Sequence, residues 1–208
     1  MGRLFYIYTM KKVMIALLCI VLRTTTVSAQ TQTDSLSFDE NNKYIYYQVA
    51  SQPSLSADTL YKRALFFLQT AYPNDKLKLS KEDKSKATLK GKGGFFVSKK
   101  ALVSMHEDAK ITYNIVIEVK DGKYRYWLTD FVVIPYERDR YANFVPVLGK
   151  DVPLEHGRRK LGQKTLDDYL EKVLVNCRAI SNKFKSFIAN PSSLPKEIKT
   201  KSVTTKEW

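Results

Sequence analysis

The stretch AKITYNIVIEVKDGKYRYWLTDFVV, residues 109–133, decides the fold of this chain. Apolar and polar residues alternate along both of its halves, which is the two-residue period of a strand with one buried face. Asp121-Gly122 joins the two halves, and this dipeptide is favoured in a two-residue type I′ turn. The stretch therefore predicts an antiparallel β-hairpin.

The turn fixes the register of this hairpin. If Lys120 lies opposite Lys123, then Glu118 lies opposite Arg125, and the meeting of opposite charges supports the register. The same count gives the pairs Val116–Trp127, Asn114–Thr129 and Thr112–Phe131. The other face of the hairpin is apolar and is predicted to be buried; it carries Ile111, Tyr113, Ile115, Ile117, Val119, Tyr124, Tyr126, Leu128 and Val132.

The remaining elements indicate an α+β domain. Residues 44–49, YIYYQV, predict a strand, and Ser56 or Asp58 then caps a first helix. Alternating residues on either side of 82–85 predict a second hairpin, and apolar residues at three- and four-residue steps predict a helix over 165–189. We therefore expect a single antiparallel sheet of about five strands, in the order β-α-β-β-β-β-α, with two helices on one face.

Residues 1–29 predict an export signal. Lys11 and Lys12 precede an apolar run at 13–22, and Val27-Ser28-Ala29 fits the small-residue cleavage pattern. The run is too short to cross a bilayer as a helix, so a membrane-spanning protein is not expected. We expect cleavage before Gln30 and a product that is periplasmic, on the outer surface or secreted.

The chain after the signal divides into three parts. Residues 30–42 are polar and predict a flexible lead-in, residues 43–190 a single α+β domain, and residues 191–208 a disordered tail. Within the domain, residues 135–162 have no steady period and predict a long surface loop rich in cations and aromatic residues. This basic loop is itself a possible contact for an anionic polymer.

The chain is strongly basic, with a formal net charge of +14. Residues 1–29 hold four of its 35 cations and no acid, so 31 cations and 21 acids remain, a net charge of +10. In a cytoplasmic protein this excess would point to nucleic acid, which is not expected for an exported one. An anionic envelope polymer or another protein is the expected partner.

The order of elements and three motifs resemble a known family. The motifs are Leu60-Tyr-Lys-Arg-Ala64 in the first helix, Ala87-Thr-Leu-Lys-Gly-Lys-Gly93 in a strand, and Ile117-Glu-Val-Lys-Asp-Gly-Lys-Tyr-Arg125 across the hairpin. Together they resemble the exported bacterial family known as domain of unknown function 4468, over about residues 43–135. The resemblance implies a fold like that of the TATA-binding protein. It brings no activity or catalytic residue with it, and fold likeness alone does not imply DNA binding.

No catalytic residue, cofactor or metal site is predicted. His106 and His156 lie in predicted loops without the spacing of metal ligands, and Cys177 lies in the apolar stripe of the second helix, where a buried thiol is expected. Gly91-Lys-Gly-Gly94 lacks the spacing of a phosphate-binding loop and predicts a turn or a bulge.

The candidate binding surface is the second face of the hairpin. It carries Trp127, Phe131 and Val116 beside Arg125 and Asn114, and aromatic residues with a polar rim are typical of recognition surfaces. The alternative is that the loop at 135–162 or the tail covers this face. We therefore expect a non-catalytic binding or structural module of the bacterial envelope, with a secreted hydrolase of cell-wall or glycan material as the alternative.

Overall fold

The structure is a computed structural model that describes residues 35–72, 77–100 and 105–190. The predicted export signal, its cleavage site and the predicted tail lie outside the described residues. The described strands are β1 (Ser37–Phe38), β2 (Tyr44–Ser51), β3 (Leu77–Asp83), β4 (Thr88–Lys100), β5 (Met105–Lys120), β6 (Lys123–Arg138), β7 (Phe144–Pro146) and β8 (Val152–Pro153). The helices are α1 (Ala57–Thr70), α2 (Gly157–Leu161) and α3 (Gln163–Ala189), with a 3₁₀ turn at Leu154–His156.

The strands form one antiparallel sheet in the order β1-β2-β6-β5-β4-β3, with β7 and β8 also paired to β6. The predicted α+β fold, with both long helices on one face of an antiparallel sheet, is confirmed. The described residues form eight strands, however, rather than about five. One of the additional strands, β1, lies within residues 30–42, which were predicted as a flexible lead-in.

Helix α1 begins where the sequence predicts. The Ser56 hydroxyl accepts a hydrogen bond from the Thr59 N–H at 3.3 Å, which satisfies one of the unpaired donors of the first turn. Leu60, Ala64 and Phe67 face the sheet and are fully buried. The helix approaches the sheet closely at Gly91 of β4, where an added Cβ would lie 3.2 Å from the Leu68 side chain.

Helix α3 covers the same face of the sheet. Its stripe is buried as predicted, with Cys177 only 1% exposed, and the hydroxyls of Ser181 and Tyr126 of β6 share a hydrogen bond of 2.6 Å. The two long helices also cap each other, because Arg63 donates to the Ile188 carbonyl and Lys183 donates to the Ala71 carbonyl. Cations placed at helix C-termini stabilise the helix dipole.

The predicted register of the central hairpin is confirmed from the turn as far as the pair Asn114–Thr129. Beyond that pair a β-bulge changes it, because two residues of β6, Asp130 and Phe131, lie opposite one residue of β5. Asp130 adopts a left-handed φ of 55°. Thr112 therefore pairs with Val132, and the predicted pair Thr112–Phe131 is wrong.

The bulge also exchanges the faces of the residues that follow it. Phe131 and Val133 are fully buried in the core under the helices, whereas Val132 lies on the opposite face. The prediction that Phe131 belongs to the candidate binding surface is wrong, and so is the prediction that Val132 belongs to the core.

Two further predictions need correction. Residues 135–162 are not an irregular surface loop, since they contain the end of β6, the strands β7 and β8 and the helix α2. Gly91-Lys-Gly-Gly94 is neither a turn nor a bulge, because these residues lie inside β4 and pair with β5 without interruption. The local bulge is in the partner strand, between Leu79 and Lys81 of β3.

Candidate functional site

The candidate site is the open face, which we define as the face of the sheet opposite α1 and α3. The strand β8 does not cover it, because β8 pairs with the outer edge of β6 and lies in the plane of the sheet. Val152 and Leu154 are buried with the helix-covered core. Tyr47, Val49 and Phe96 on this face are each more than a third exposed, so the described residues leave both of its ends accessible.

One end of the open face is aromatic. The rings of Trp127 and Tyr47 lie 6.3 Å apart on neighbouring strands, and the Arg125 guanidinium lies 5.7 Å from the centre of the Trp127 ring. Arg125 also donates to Glu118 at 2.6 Å, and this hydrogen bond raises the pKa of Arg125. Trp127 is half-buried by these neighbours, so it lies on the open face as predicted but is not fully exposed.

A shallow cleft of about 250 Å³ lies beside this aromatic end, lined by Tyr47, Val49, Glu118, Lys120, Lys123 and Arg125. Val116, another predicted site residue, lies on the same face and is 9% exposed. The structure thus brings Trp127, Val116 and Arg125 together, as expected from the register.

Asn114, the remaining predicted site residue, lies at the centre of the open face in a polar network. Its amide donates to one oxygen of Asp130 at 2.9 Å, and the Lys43 ammonium pairs with the other oxygen. The hydrogen bond from Lys43 is the main reason why the pKa of Asp130 is lowered. Asp130 therefore stays ionised and remains an acceptor of hydrogen bonds.

Next to this network is a depression of about 410 Å³, which we call the glycine basin. Its lining consists of Lys92, Gly93, Gly94, Lys110, Thr112, Tyr113, Asn114, Asp130 and Val132. Gly94 has no side chain that could fill this depression. Volumes of about 300–1,000 Å³ are typical of sites for small molecules.

At the far end, four exposed lysines form what we call the lysine cluster: Lys78, Lys81, Lys90 and Lys92. They lie on β3 and β4 in two directly opposed pairs, Lys78 with Lys92 and Lys81 with Lys90. Like charges directly opposite each other on a sheet destabilise it. Among the described residues, no carboxylate forms an ion pair with Lys81, Lys90 or Lys92.

The lysine cluster and Asp130 were not recognised as site residues in the sequence. The lysines occupy the polar positions of the predicted second hairpin, but the bulge between Leu79 and Lys81 sets their pairing, and the sequence does not reveal it. The sequence offers one indication of a bulge at Asp130, because Asp is enriched among non-glycine residues with positive φ.

The other candidates from the sequence are not brought together. His156 is exposed beside α2, and nothing is described of the His106 side chain. Within the described ranges, no group of three or more histidine, cysteine, aspartate or glutamate residues is placed to hold a metal ion. Cys177 is buried in the core, away from the open face. None of the helices in the described part of the chain has the length and apolar character needed to cross a membrane.

Comparison with solved structures shows the same fold. A crystal structure of a DUF4468 family protein from Bacteroides ovatus ATCC 8483 matches with a TM-score of 0.56 and 13% identity, covering 77% of this chain and 94% of that one. A TBP-like protein from Parabacteroides distasonis ATCC 8503 matches with a TM-score of 0.56 and 14% identity, covering 73% of this chain and 96% of that one. No curated protein matches the chain.

Residues 46–133 match the family model described as "Domain of unknown function (DUF4468) with TBP-like fold". The matched range contains β2, α1, the second hairpin and most of the central hairpin, which are the elements whose motifs carry the resemblance in the sequence. That resemblance is confirmed as a match to the family model over residues 46–133, and the solved structures confirm the TBP-like fold.

Proposed function

We propose that this protein is an exported, non-catalytic binding module whose open face holds a linear anionic polysaccharide of the bacterial envelope. The observation that carries the proposal is the lysine cluster. Two pairs of lysines lie directly opposite each other on exposed strand positions, and the repulsion between Lys81 and Lys90 costs stability that a bound polyanion would restore. A cluster of exposed cations on a sheet surface matches the repeated negative charges of an acidic polymer.

The shape of the open face supports a binding module over the alternative, a secreted hydrolase. Hydrolysis requires catalytic polar groups that converge on one bond of the substrate. The open face is instead broad, and its ionisable groups are spread over several strands. The clefts at Tyr47 and at Gly94 are shallow depressions on this surface.

Binding to immobilised polygalacturonate, with neutral dextran as the control polymer, tests this proposal. We expect the purified chain to be retained on polygalacturonate at low salt, released as salt rises, and not retained on dextran. The double variant Lys81→Gln/Lys90→Gln removes one lysine from each strand of the cluster and is expected to elute at clearly lower salt.

A matched control separates the lysine cluster from the overall charge. Lys160→Gln/Lys164→Gln removes the same charge from exposed positions on α2 and α3 and is expected to elute with the unmodified chain. Equal losses in the two double variants would mean that net charge alone drives retention. Unchanged elution of the Lys81→Gln/Lys90→Gln variant would also contradict the proposal.

A further inference from the structure

We propose that the glycine basin is a subsite for one hexuronate ring, a sugar unit that carries a carboxylate and several hydroxyls. This inference rests on the proposed function, because it identifies which acidic unit of the polymer the open face recognises. The basin adjoins the lysine cluster and shares Lys92 with it. A polymer that lies along the cluster would therefore place a sugar unit in the basin.

The space for the ring exists because Gly94 has no side chain. Gly94 pairs with Thr112 in the middle of the open face, where a side chain would stand upright on the sheet. An added Cβ would lie 3.1 Å from Cε of Lys110 and 3.2 Å from the carbonyl oxygen of Ile111. The glycine thus lets Lys110 lean over the floor of the basin.

Two lysines supply positive charge that can bind the carboxylate of the sugar. Lys92 and Lys110 come from neighbouring strands and both line the basin. The Lys110 ammonium lies 5.4 Å from the centre of the Phe96 ring, a cation–π contact that holds this side chain near the edge of the basin. Phe96 in turn packs edge-on against Tyr136.

The opposite wall favours sugar hydroxyls over a second anionic oxygen. Asn114 uses its amide N–H to donate to Asp130, so its carbonyl oxygen is directed away from that contact and can accept. The ionised carboxylate of Asp130 has acceptor capacity beyond its contacts with Asn114 and Lys43. Hydroxyls donate to such acceptors, whereas the ionised oxygens of a phosphate or sulfate group have no proton to donate.

The backbone at Asp130 supports the same assignment. Asp130 has a positive φ of 55°, a conformation that is uncommon for residues with a side chain, although Asp adopts it more readily than most. Strained residues of this kind cluster at sites of function. Here the bulge turns the carboxylate to the rim of the basin, where it orients Asn114.

Titration of the purified chain with galacturonate, galactose and inorganic phosphate at fixed ionic strength, followed by NMR amide shifts, tests the subsite. We expect shifts at Gly94, Thr112 and Asn114 with galacturonate, and weaker binding of galactose by about tenfold or more, because it lacks the carboxylate. Phosphate should bind more weakly than galacturonate. Tighter binding of phosphate, or equal binding of the two sugars, would overturn the proposal.

The variant Asp130→Asn makes the test sharper, because asparagine tolerates a positive φ and the fold should be kept. We expect its affinity for galacturonate to fall by about tenfold, the effect of a lost charge-assisted hydrogen bond, while its affinity for phosphate rises. A fall in both affinities, or no change in either, would contradict the assigned role of Asp130.

The Lys81→Gln/Lys90→Gln variant distinguishes failure of the subsite from failure of the proposed function. It should keep the affinity for galacturonate and elute from polygalacturonate at clearly lower salt. If the unmodified chain is retained on the polymer but shows no galacturonate shifts around Gly94, the subsite is wrong and the proposed function stands. If it shows those shifts but is not retained, the proposed function fails.

Discussion

Asp130 lies at the centre of the polar network on the open face. Its left-handed backbone conformation is offset by two side-chain contacts, an ion pair with Lys43 and a hydrogen bond from Asn114. The ion pair requires the ionised carboxylate, and the hydrogen bond from Asn114 is stronger to the ionised form. The stability of the bulge is therefore linked to the protonation of this side chain.

This linkage predicts how stability changes with pH. The pKa of Asp130 in the folded protein lies below its ordinary value of 3.8, so its contribution is fully present above about pH 4. It is lost as the pH falls through the lower pKa of the folded state. We expect the unmodified chain to melt at a higher temperature than Asp130→Asn at pH 6, and the difference to shrink below about pH 4.

Melting temperatures of both chains between pH 7 and pH 2 provide the measurement. Asp151→Asn, at an exposed position, changes the charge equally and serves as the control. A difference between the unmodified chain and Asp130→Asn that stays constant down to pH 2 would show that the carboxylate is not stabilising.

The bulge also predicts opposite consequences for two aromatic residues of β6. Phe131 is fully buried in the core, so Phe131→Ala should lower the free energy of unfolding by about 3–5 kcal/mol. Trp127 is half-buried on the open face, so Trp127→Ala should cost less than about 3 kcal/mol. Urea denaturation of both variants measures the two losses. Phe131→Leu is the control and should restore most of the stability; equal losses for the two alanine variants would contradict the placement of the two faces.

At the scale of elements, the sequence predicts the central hairpin well and its continuation poorly. The Asp121-Gly122 turn and the Glu118–Arg125 pair fix the register near the turn, and the structure keeps it. Past Thr129 the sequence Phe131-Val-Val133 is apolar at every position, so either alternate set can form the core. The pattern therefore contains no information about the bulge, and the face of Phe131 could not be derived from it.

The strands β7 and β8 could not be predicted for a different reason. They are three and two residues long, which is too short to establish a two-residue period. Of the candidate site, Trp127, Val116, Arg125 and Asn114 were predictable from the register. The lysine cluster depends on a pairing between β3 and β4 that a bulge resets.

The opposed lysines of β3 and β4 predict that one substitution can raise the stability of the sheet and weaken its binding to an anionic polymer. Lys81→Glu places a carboxylate directly opposite Lys90, where an opposite-charge pair should stabilise the sheet by about 0.2–1 kcal/mol. The same change should weaken retention on polygalacturonate. Thermal melting and elution salt, measured on this one variant, should therefore move in opposite directions.

Lys81→Gln is the intermediate control for this variant, because it removes the repulsion without adding an ion pair. Its stability should lie between those of the unmodified chain and Lys81→Glu. A loss of stability in Lys81→Glu would mean that Lys81 and Lys90 do not repel each other in the folded protein.

At the scale of the whole molecule, the two faces of the sheet differ in how much they contribute to the core. The helix-covered face contains the apolar core, and α1 and α3 are joined there by their mutual caps. Among the described residues, the open face contributes little to that core. Substitutions that change binding without unfolding the chain are therefore expected on the open face.

The proposed envelope location also concerns the whole molecule. Val27 and Ala29 fit the pattern of a signal cleavage site, so we expect the natural product to begin at Gln30. Intact mass and N-terminal sequencing of the protein from its own cells measure this. An uncleaved chain in the cytoplasm would contradict the proposed location and the envelope polymer as partner.

The bulge at Asp130 changes which alternate residues of β6 face the core. Before it, the odd-numbered residues Arg125 and Trp127 face the open side; after it, the odd-numbered residues Phe131 and Val133 face the core. In a relative that lacks this extra residue, the residue equivalent to Phe131 stands one position earlier in the strand. An alignment without a gap there would equate core positions with open-face positions, so comparison of these surfaces across relatives has to start from the position of the bulge.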